Sequence, residues 1–164
     1  NWRKYQHISV SDWESRFAID ARYDWICAVW LEAMSQYYSG LAAADSWRYS
    51  ATLGTDYTIA VGNGLYWLAE HSIAASTNQW NRISGTQHVS AAMLSYPINL
   101  FDTLRFFLYY SWGASCYFPF FEWQRAYNDI VLQAGVFYRP QEFANSNVST
   151  HYGWGAQMAF VFYY

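Results

Sequence analysis

The sequence predicts an all-β chain, a transmembrane antiparallel up-and-down β-barrel of about eight strands. Three observations predict it. Apolar residues recur at every second position over most of the chain, the period of a strand with one apolar face. Tight turns alternate with connections of another kind, as they do in an up-and-down barrel that crosses a membrane. The composition is 54% hydrophobic and 23% aromatic but only 13% charged, where a soluble domain carries roughly 25% charged residues.

The same arithmetic excludes several classes. Aromatic residues (10 Trp, 16 Tyr, 11 Phe) outnumber the 9 basic and 12 acidic ones, which is the opposite of a disordered chain. The net charge is -3 and Lys4 is the only lysine, so the basic footprint of a nucleic-acid-binding protein is missing. A membrane helix needs about 20 consecutive mostly apolar residues; the densest patch, Leu104 to Tyr110, is far shorter. The 164 residues fit one domain. The chain opens at Asn1 without a signal-like segment, as expected of a processed mature form or of a piece of something longer.

The elements follow in order. From Arg16, Phe17, Ile19, Ala21, Tyr23 and Trp25 oppose Arg16, Asp20, Arg22 and Asp24. From Trp47, the apolar set Trp47, Tyr49, Ala51, Leu53, Tyr57, Ile59 and Val61 opposes Arg48, Ser50, Thr52, Asp56 and Thr58. Leu65 to Ser76 and Cys116 to Ala126 alternate less clearly, each with a carboxylate on one face, Glu70 or Glu122. From Arg82, Ile83, Val89, Ala91 and Met93 oppose Ser84, Thr86, His88 and Ser90. From Leu100, Leu104, Phe106, Leu108 and Tyr110 oppose Thr103 and Arg105; from Asp129, Ile130, Leu132, Ala134, Val136 and Tyr138 oppose Asp129, Gln133 and Arg139. The last run is the cleanest: Tyr152, Trp154, Ala156, Met158, Phe160, Phe162 and Tyr164 against Gly153, Gly155, Gln157, Ala159 and Val161.

Gly62-Asn63-Gly64 is a strong tight-turn signal, followed by Tyr96-Pro97-Ile98-Asn99, Tyr127-Asn128-Asp129 and Ser11-Asp12. Between them lie Ala33 to Asp45, Thr77 to Asn81, Gly113 to Ser115 and Gln141 to Thr150. Eight runs put both ends on one side, as in a bacterial single-chain barrel. The barrel domain then spans residues 14–164, and residues 1–13, with Trp2, Lys4, Gln6, Ile8 and Val10, are an N-terminal extension or a remnant strand.

A soluble barrel would turn its apolar face inward and coat itself with Lys and Glu. Here the polar face carries arginine balanced by carboxylates, the set a paired interior uses, because guanidinium forks onto carboxylates and tolerates burial better than ammonium. The expected lumen network is Arg16, Asp20, Arg22, Asp24, Arg48, Asp56, Glu70, Arg82, His88, Arg105, Glu122, Asp129 and Arg139. The expected interfacial aromatic girdle is Tyr23, Trp25, Trp47, Tyr57, Trp112, Trp154, Phe162 and Tyr164. Gly54, Gly135, Gly153 and Gly155 recur on the polar face, where they relieve crowding or bend strands.

The terminal run Ala156, Met158, Phe160, Phe162, Tyr164, ending on an aromatic residue, resembles the closing strand of bacterial outer-membrane β-barrel proteins. The stretches Asp56 to Leu65 and Tyr96 to Leu100 resemble porin hairpins. The resemblance implies an outer-membrane location, contact with membrane lipids and recognition of the last strand by the barrel-assembly machinery.

A closed barrel of eight strands is filled by side chains, whereas open aqueous channels need about 16 to 18 strands. The expected function is therefore a porin-like channel or structural membrane protein, with the chain as the C-terminal part of a larger porin barrel, or a homo-oligomer, as alternatives in which the charges line a pore. A different class is a small lipid-modifying enzyme, a lipid A acyltransferase or deacylase, which needs a nucleophile and base near the outer rim. His71-Ser72 and His88 approach one another in the hairpin joined at Thr77 to Asn81, but without a GxSxG nucleophile sequence the bland reading, His88 as a satisfied interior residue, is preferred. His7, His71, His88 and His151 lack metal-ligand spacing, so neither metal nor cofactor is expected. Cys27 and Cys116 read as packing residues, and Asn147-Val148-Ser149 is a glycosylation sequon without meaning in a bacterium.

Overall fold

A computed structural model describes residues 14–39, 46–78, 80, 84–141 and 152–163. They form strands β1 (Glu14–Asp24), β2 (Ala28–Tyr38), β3 (Trp47–Ile59), β4 (Leu65–Thr77), β5 (Ser84–Pro97), β6 (Asp102–Ser111), β7 (Cys116–Ala126), β8 (Ile130–Arg139) and β9 (Gly153–Phe162). The strands lie side by side in sequence order, every neighbouring pair antiparallel. The all-β up-and-down arrangement is thus as expected. Two features differ among the described residues: there are nine strands instead of eight, and the sheet is not closed, since β1 and β9 are both edges.

The extra strand is β2, most of which was expected to belong to the connection Ala33 to Asp45. Its alternation is blurred because Trp30 and Met34 share a face with Glu32 and Gln36, while Ala33 and Ser35 dilute the other. The turn before it, residues 25–27, also has no Gly or Pro. With β2 in place, short turns at residues 25–27, 60–64, 98–101 and 127–129 occupy one end of the sheet. The strand ends Tyr38 and Trp47, Thr77 and Ser84, Ser111 and Cys116, and Arg139 and Gly153, from which the other connections run, lie at the other. Ser11-Asp12 and residues 1–13 lie outside the described residues.

Ladder partners project to the same face, so the register assigns each strand residue a side. One face carries Phe17, Ile19 and Tyr23 of β1, Leu31 of β2, Leu53 of β3, and onward to Met158, Phe160 and Phe162 of β9. The other carries Arg16, Arg22, Arg48, Asp56, Glu70, Arg105 and Glu122. β5 is inverted relative to its sequence reading. Val89, Ala91 and Met93 pair with Ser111, Tyr109 and Phe107 on the charged face, whereas His88 and Ser90 stand on the apolar one. Strand polarity misleads here because the ladder, not the local composition, decides which way a side chain points. A register shift between Ala74 and Ser76, opposite Gly85 at φ 70°, marks the bulge where β5 enters the sheet.

Among the described residues nothing covers the apolar face. Phe17 is 72% exposed, Leu53 56%, Met158 69% and Phe160 71%. Among the described residues no large side chain is fully buried, and the strands pack substantially only on their sequence neighbours. The charged face instead packs along itself. Trp30 lies across Gly54 and Phe137 across Gly155, so closely that a Cβ on either glycine would overlap the ring; at Gly135 it would stand 2.8 Å from Phe120. Glycine here is a seat for the neighbour's aromatic ring.

The short-turn end is fastened by side chains. Asn63 donates through Nδ2 to the carbonyls of Pro97 and Ile98 at 3.0 and 2.8 Å, tying the β3–β4 turn to the β5–β6 turn. Asn99 Oδ1 accepts from the amides of Phe101 and Asp102 at 2.8 and 2.9 Å. The buried Asp102 carboxylate accepts from Asn99 Nδ2 at 2.8 Å and from Trp123 Nε1 at 3.0 Å, with Arg125 at 3.6 Å.

Candidate functional site

The charged face is the first candidate, and its charges form two patches. Over β1 to β3, Arg22 donates to Asp24 at 2.8 Å and reaches Asp56 on β3 at 3.4 Å, its guanidinium 5.5 Å from the Trp30 ring. Arg16 and Gln36 both contact the Glu14 carboxylate, and Arg48 stacks on Tyr38 at 5.0 Å. Asp20 and Glu32 are direct ladder partners, two carboxylates on one face, and Glu70 stands opposite Gly54 and Ala91.

Over β6 to β8, Arg105 donates to Glu122 at 2.9 Å and to Gln124 at 2.8 Å. This pair is the more enclosed, with the Glu122 side chain only 13% exposed against 36% for Glu14. Exposed pairs contribute about 0–1 kcal/mol in water, so these contacts order the face more than they hold the fold. Arg139 lies 6.0 Å from the Phe137 ring. Beside the second patch runs an aromatic strip, with Phe107 and Phe120 at 5.7 Å, Tyr109 and Phe118 at 6.4 Å, and Phe118 and Phe137 at 6.0 Å between centroids. The face is therefore charged at both sides, and only the β6–β8 side adds an aromatic strip.

Of the expected network, Arg16, Asp20, Arg22, Asp24, Arg48, Asp56, Glu70, Arg105, Glu122 and Arg139 share this face. Asp129 sits in the β7–β8 turn, where its carbonyl accepts from the Tyr163 amide at 2.8 Å. Arg82 lies outside the described residues. His88 stands across the sheet from the arginines, beside His71 and Ser90. The expected girdle residues fall at the two ends: Tyr23, Trp25, Tyr57 and Phe162 at the short-turn end, Trp47, Trp112 and Trp154 at the other. Tyr164 lies outside the described residues.

The sequence pattern does not mark Glu14, Glu32 and Gln36, because the clear alternation of β1 begins at Arg16 and β2 lacks a clean period. It also missed Asp102 and Arg125, which lie on the apolar face, and only the spacing of Asn99 and Asp102, an Asx-turn signature, could have flagged them. No group of three or more His, Cys, Asp or Glu side chains suited to a metal occurs among the described residues. Neither Cys27 nor Cys116 is in a disulfide. No family model, curated protein or solved structure matches the chain.

Proposed function

We propose that this sheet is the wall of an outer-membrane β-barrel with a porin-like or structural role, its apolar face in lipid and its Arg/Asp/Glu face lining the lumen. The observation that carries the reading is the division of the two faces, bounded by aromatic side chains at both ends. From Trp47 to Tyr57 along β3 is roughly 33 Å at about 3.3 Å per residue. At a strand tilt of about 45° that becomes roughly 24 Å of height, close to the apolar band of about 25 Å that such barrels present to lipid. Leu53 and Ala51 fall between the belts on β3, and Ala156, Met158 and Phe160 on β9.

Among the described residues β1 and β9 each have a neighbour on one side alone, which favours the reading in which this chain supplies part of a larger ring. In hydrocarbon each unsatisfied backbone group costs several kcal/mol, so the free N–H and C=O groups of β1 and β9 must meet further strands. In the same reading the alternating aromatic face of β9 is what the barrel-assembly machinery engages.

The test uses the full chain folded into phospholipid vesicles, with Cys27 and Cys116 replaced by alanine. A single cysteine is then placed by Leu53→Cys or Thr52→Cys. A water-soluble maleimide should modify the Thr52 position and spare the Leu53 position. Equal modification of both rejects the lipid-facing assignment. Conductance across a planar bilayer distinguishes an open lumen from a filled one.

A further inference from the structure

On the apolar face four polar side chains, Ser90, His71, Trp112 and His88, meet where lipid would offer them no partners. Ser90 of β5 is the ladder partner of His71 on β4, and its Oγ lies 2.9 Å from His71 Nδ1. Trp112 Nε1 donates to the same Oγ at 2.9 Å. His71 Nε2 lies 3.5 Å from His88 Nδ1.

One proton arrangement satisfies the whole chain. An indole N–H only donates, so it takes a lone pair of Ser90 Oγ and leaves the hydroxyl proton directed at His71 Nδ1. His71 then carries its own proton on Nε2, facing His88 Nδ1, and His88 carries its proton on Nε2. This is the order of a nucleophile, its base and the group that orients the base.

Place and surroundings fit a lipid ester. Ser90 is level with Tyr110, two residues short of the β6–β7 turn, so the hydroxyl sits roughly 7 Å below that rim at about 3.4 Å per residue. That is near the depth at which an acyl ester leaves the hydrocarbon. A groove of about 560 Å³ opens on Ser90 and His71, its walls mostly apolar, with Val29, Leu53, Ala92 and Leu108, and with Thr55 and Glu70 also in the lining. Apolar walls with a few convergent polar groups at one end are the form of a small-molecule site.

We infer that Ser90 is the nucleophile and His71 the base of an acyl-ester hydrolase site on the apolar face, with the acyl chain in this groove. Ser90 Oγ attacks the ester carbonyl carbon as its proton passes to His71 Nδ1. The bond to the alcohol oxygen breaks, and the alcohol leaves with that proton. Water, giving its proton to the same nitrogen, then attacks the acyl-serine and releases the carboxylic acid, restoring the Ser90 hydroxyl. Ester and water become acid and alcohol. His88 is a positioning residue that accepts the Nε2 proton of the His71 cation. The serine site stands on the cluster alone; that its ester is a membrane lipid rests on the lipid-facing reading above.

The full chain in detergent is treated with a fluorophosphonate, and the adduct is located by mass spectrometry. In parallel, acid release is measured from a soluble p-nitrophenyl ester, from phosphatidylethanolamine vesicles and from an acylated glucosamine disaccharide lipid. The expected result is an adduct on Ser90 and cleavage of one lipid, lost at least about a thousandfold in Ser90→Ala and His71→Leu. His88→Leu should lower kcat about tenfold or more at unchanged KM, and His88→Asn, whose Oδ1 replaces Nδ1 as acceptor, should restore most of it. Turnover of the soluble ester with neither lipid cleaved overturns the lipid substrate. An unmodified Ser90, with acid release no higher than in Ser90→Ala, overturns the site itself, and the maleimide experiment judges the orientation separately.

Discussion

Replacing Leu53 by arginine separates a lipid-facing sheet from one bathed in water. Leu53 lies at the middle of β3, 56% exposed on the apolar face, with Leu31 and His71 as ladder partners. In a bilayer the guanidinium would sit near the midplane, where arginine on a barrel exterior costs about 2–4 kcal/mol. That is about thirty- to several-hundredfold in the folding equilibrium. In water a substitution at so exposed a position stays within about 0.5 kcal/mol. Thr52→Arg, one residue away, is the control. It forfeits the 2.9 Å contact of Thr52 with Ser72, about 1 kcal/mol, and gains a place opposite Glu32, about 0.2–1 kcal/mol. Its net effect should be under about 1 kcal/mol. The assay is reversible guanidinium unfolding in phospholipid vesicles followed by tryptophan emission, repeated with Val136→Arg on β8 to move away from His71. Equal costs for Leu53→Arg and Thr52→Arg would refute the reasoning, because the two neighbours lie at nearly the same depth on opposite faces.

Gly54→Ala should destabilise the fold by about 1–3 kcal/mol through overpacking against Trp30. In a Trp30→Leu background the same change should become neutral, and a denaturation cycle over the four proteins measures the difference. Arg105→Gln and Glu122→Gln should be non-additive, with a coupling energy of about 0.5–1.5 kcal/mol in the same unfolding experiment; additivity would mean that the 2.9 Å contact does no energetic work. Asp102→Ala strands the Trp123 N–H and should cost about 1–3 kcal/mol, with a shift of the indole environment visible in near-ultraviolet circular dichroism. Asn63→Ala removes both ties between neighbouring turns and should raise hydrogen exchange in residues 60–64 and 98–101 before it changes the midpoint of global unfolding.

Strands such as β3 and β9 were legible in the sequence because one face is apolar at nearly every position and the other is polar or small. β2 was not, since Trp30 and Met34 sit on the charged face and erase the alternation. Their reason for being there is spatial: Trp30 needs Gly54, which is distant in sequence and adjacent only once the strands pair. The face of β5 was legible only from the register, for the same cause, and with it went the position of His88. The arginines and carboxylates of β1, β3, β6 and β7 were found as types on one face, but not as two separate patches. Pairing of Arg105 with Glu122, or of Asp102 with Trp123, is fixed by rungs between strands that a one-dimensional period does not contain. The sequence points to both histidines and to Ser72, which stands on the opposite face, and marks Ser90 only as a polar residue beside His88.

The direction of the two edge strands has a consequence for assembly. β1 and β9 both run from the long-connection end toward the short-turn end, so bending the sheet round on itself would join them as a parallel pair. If the sheet is inserted in a membrane as proposed, all copies share one orientation and can meet only β9 to β1, again in parallel. Like edges meet antiparallel only if one copy is upside down, which vectorial insertion forbids. An antiparallel seam all the way round therefore requires an odd number of additional strands between β9 and β1.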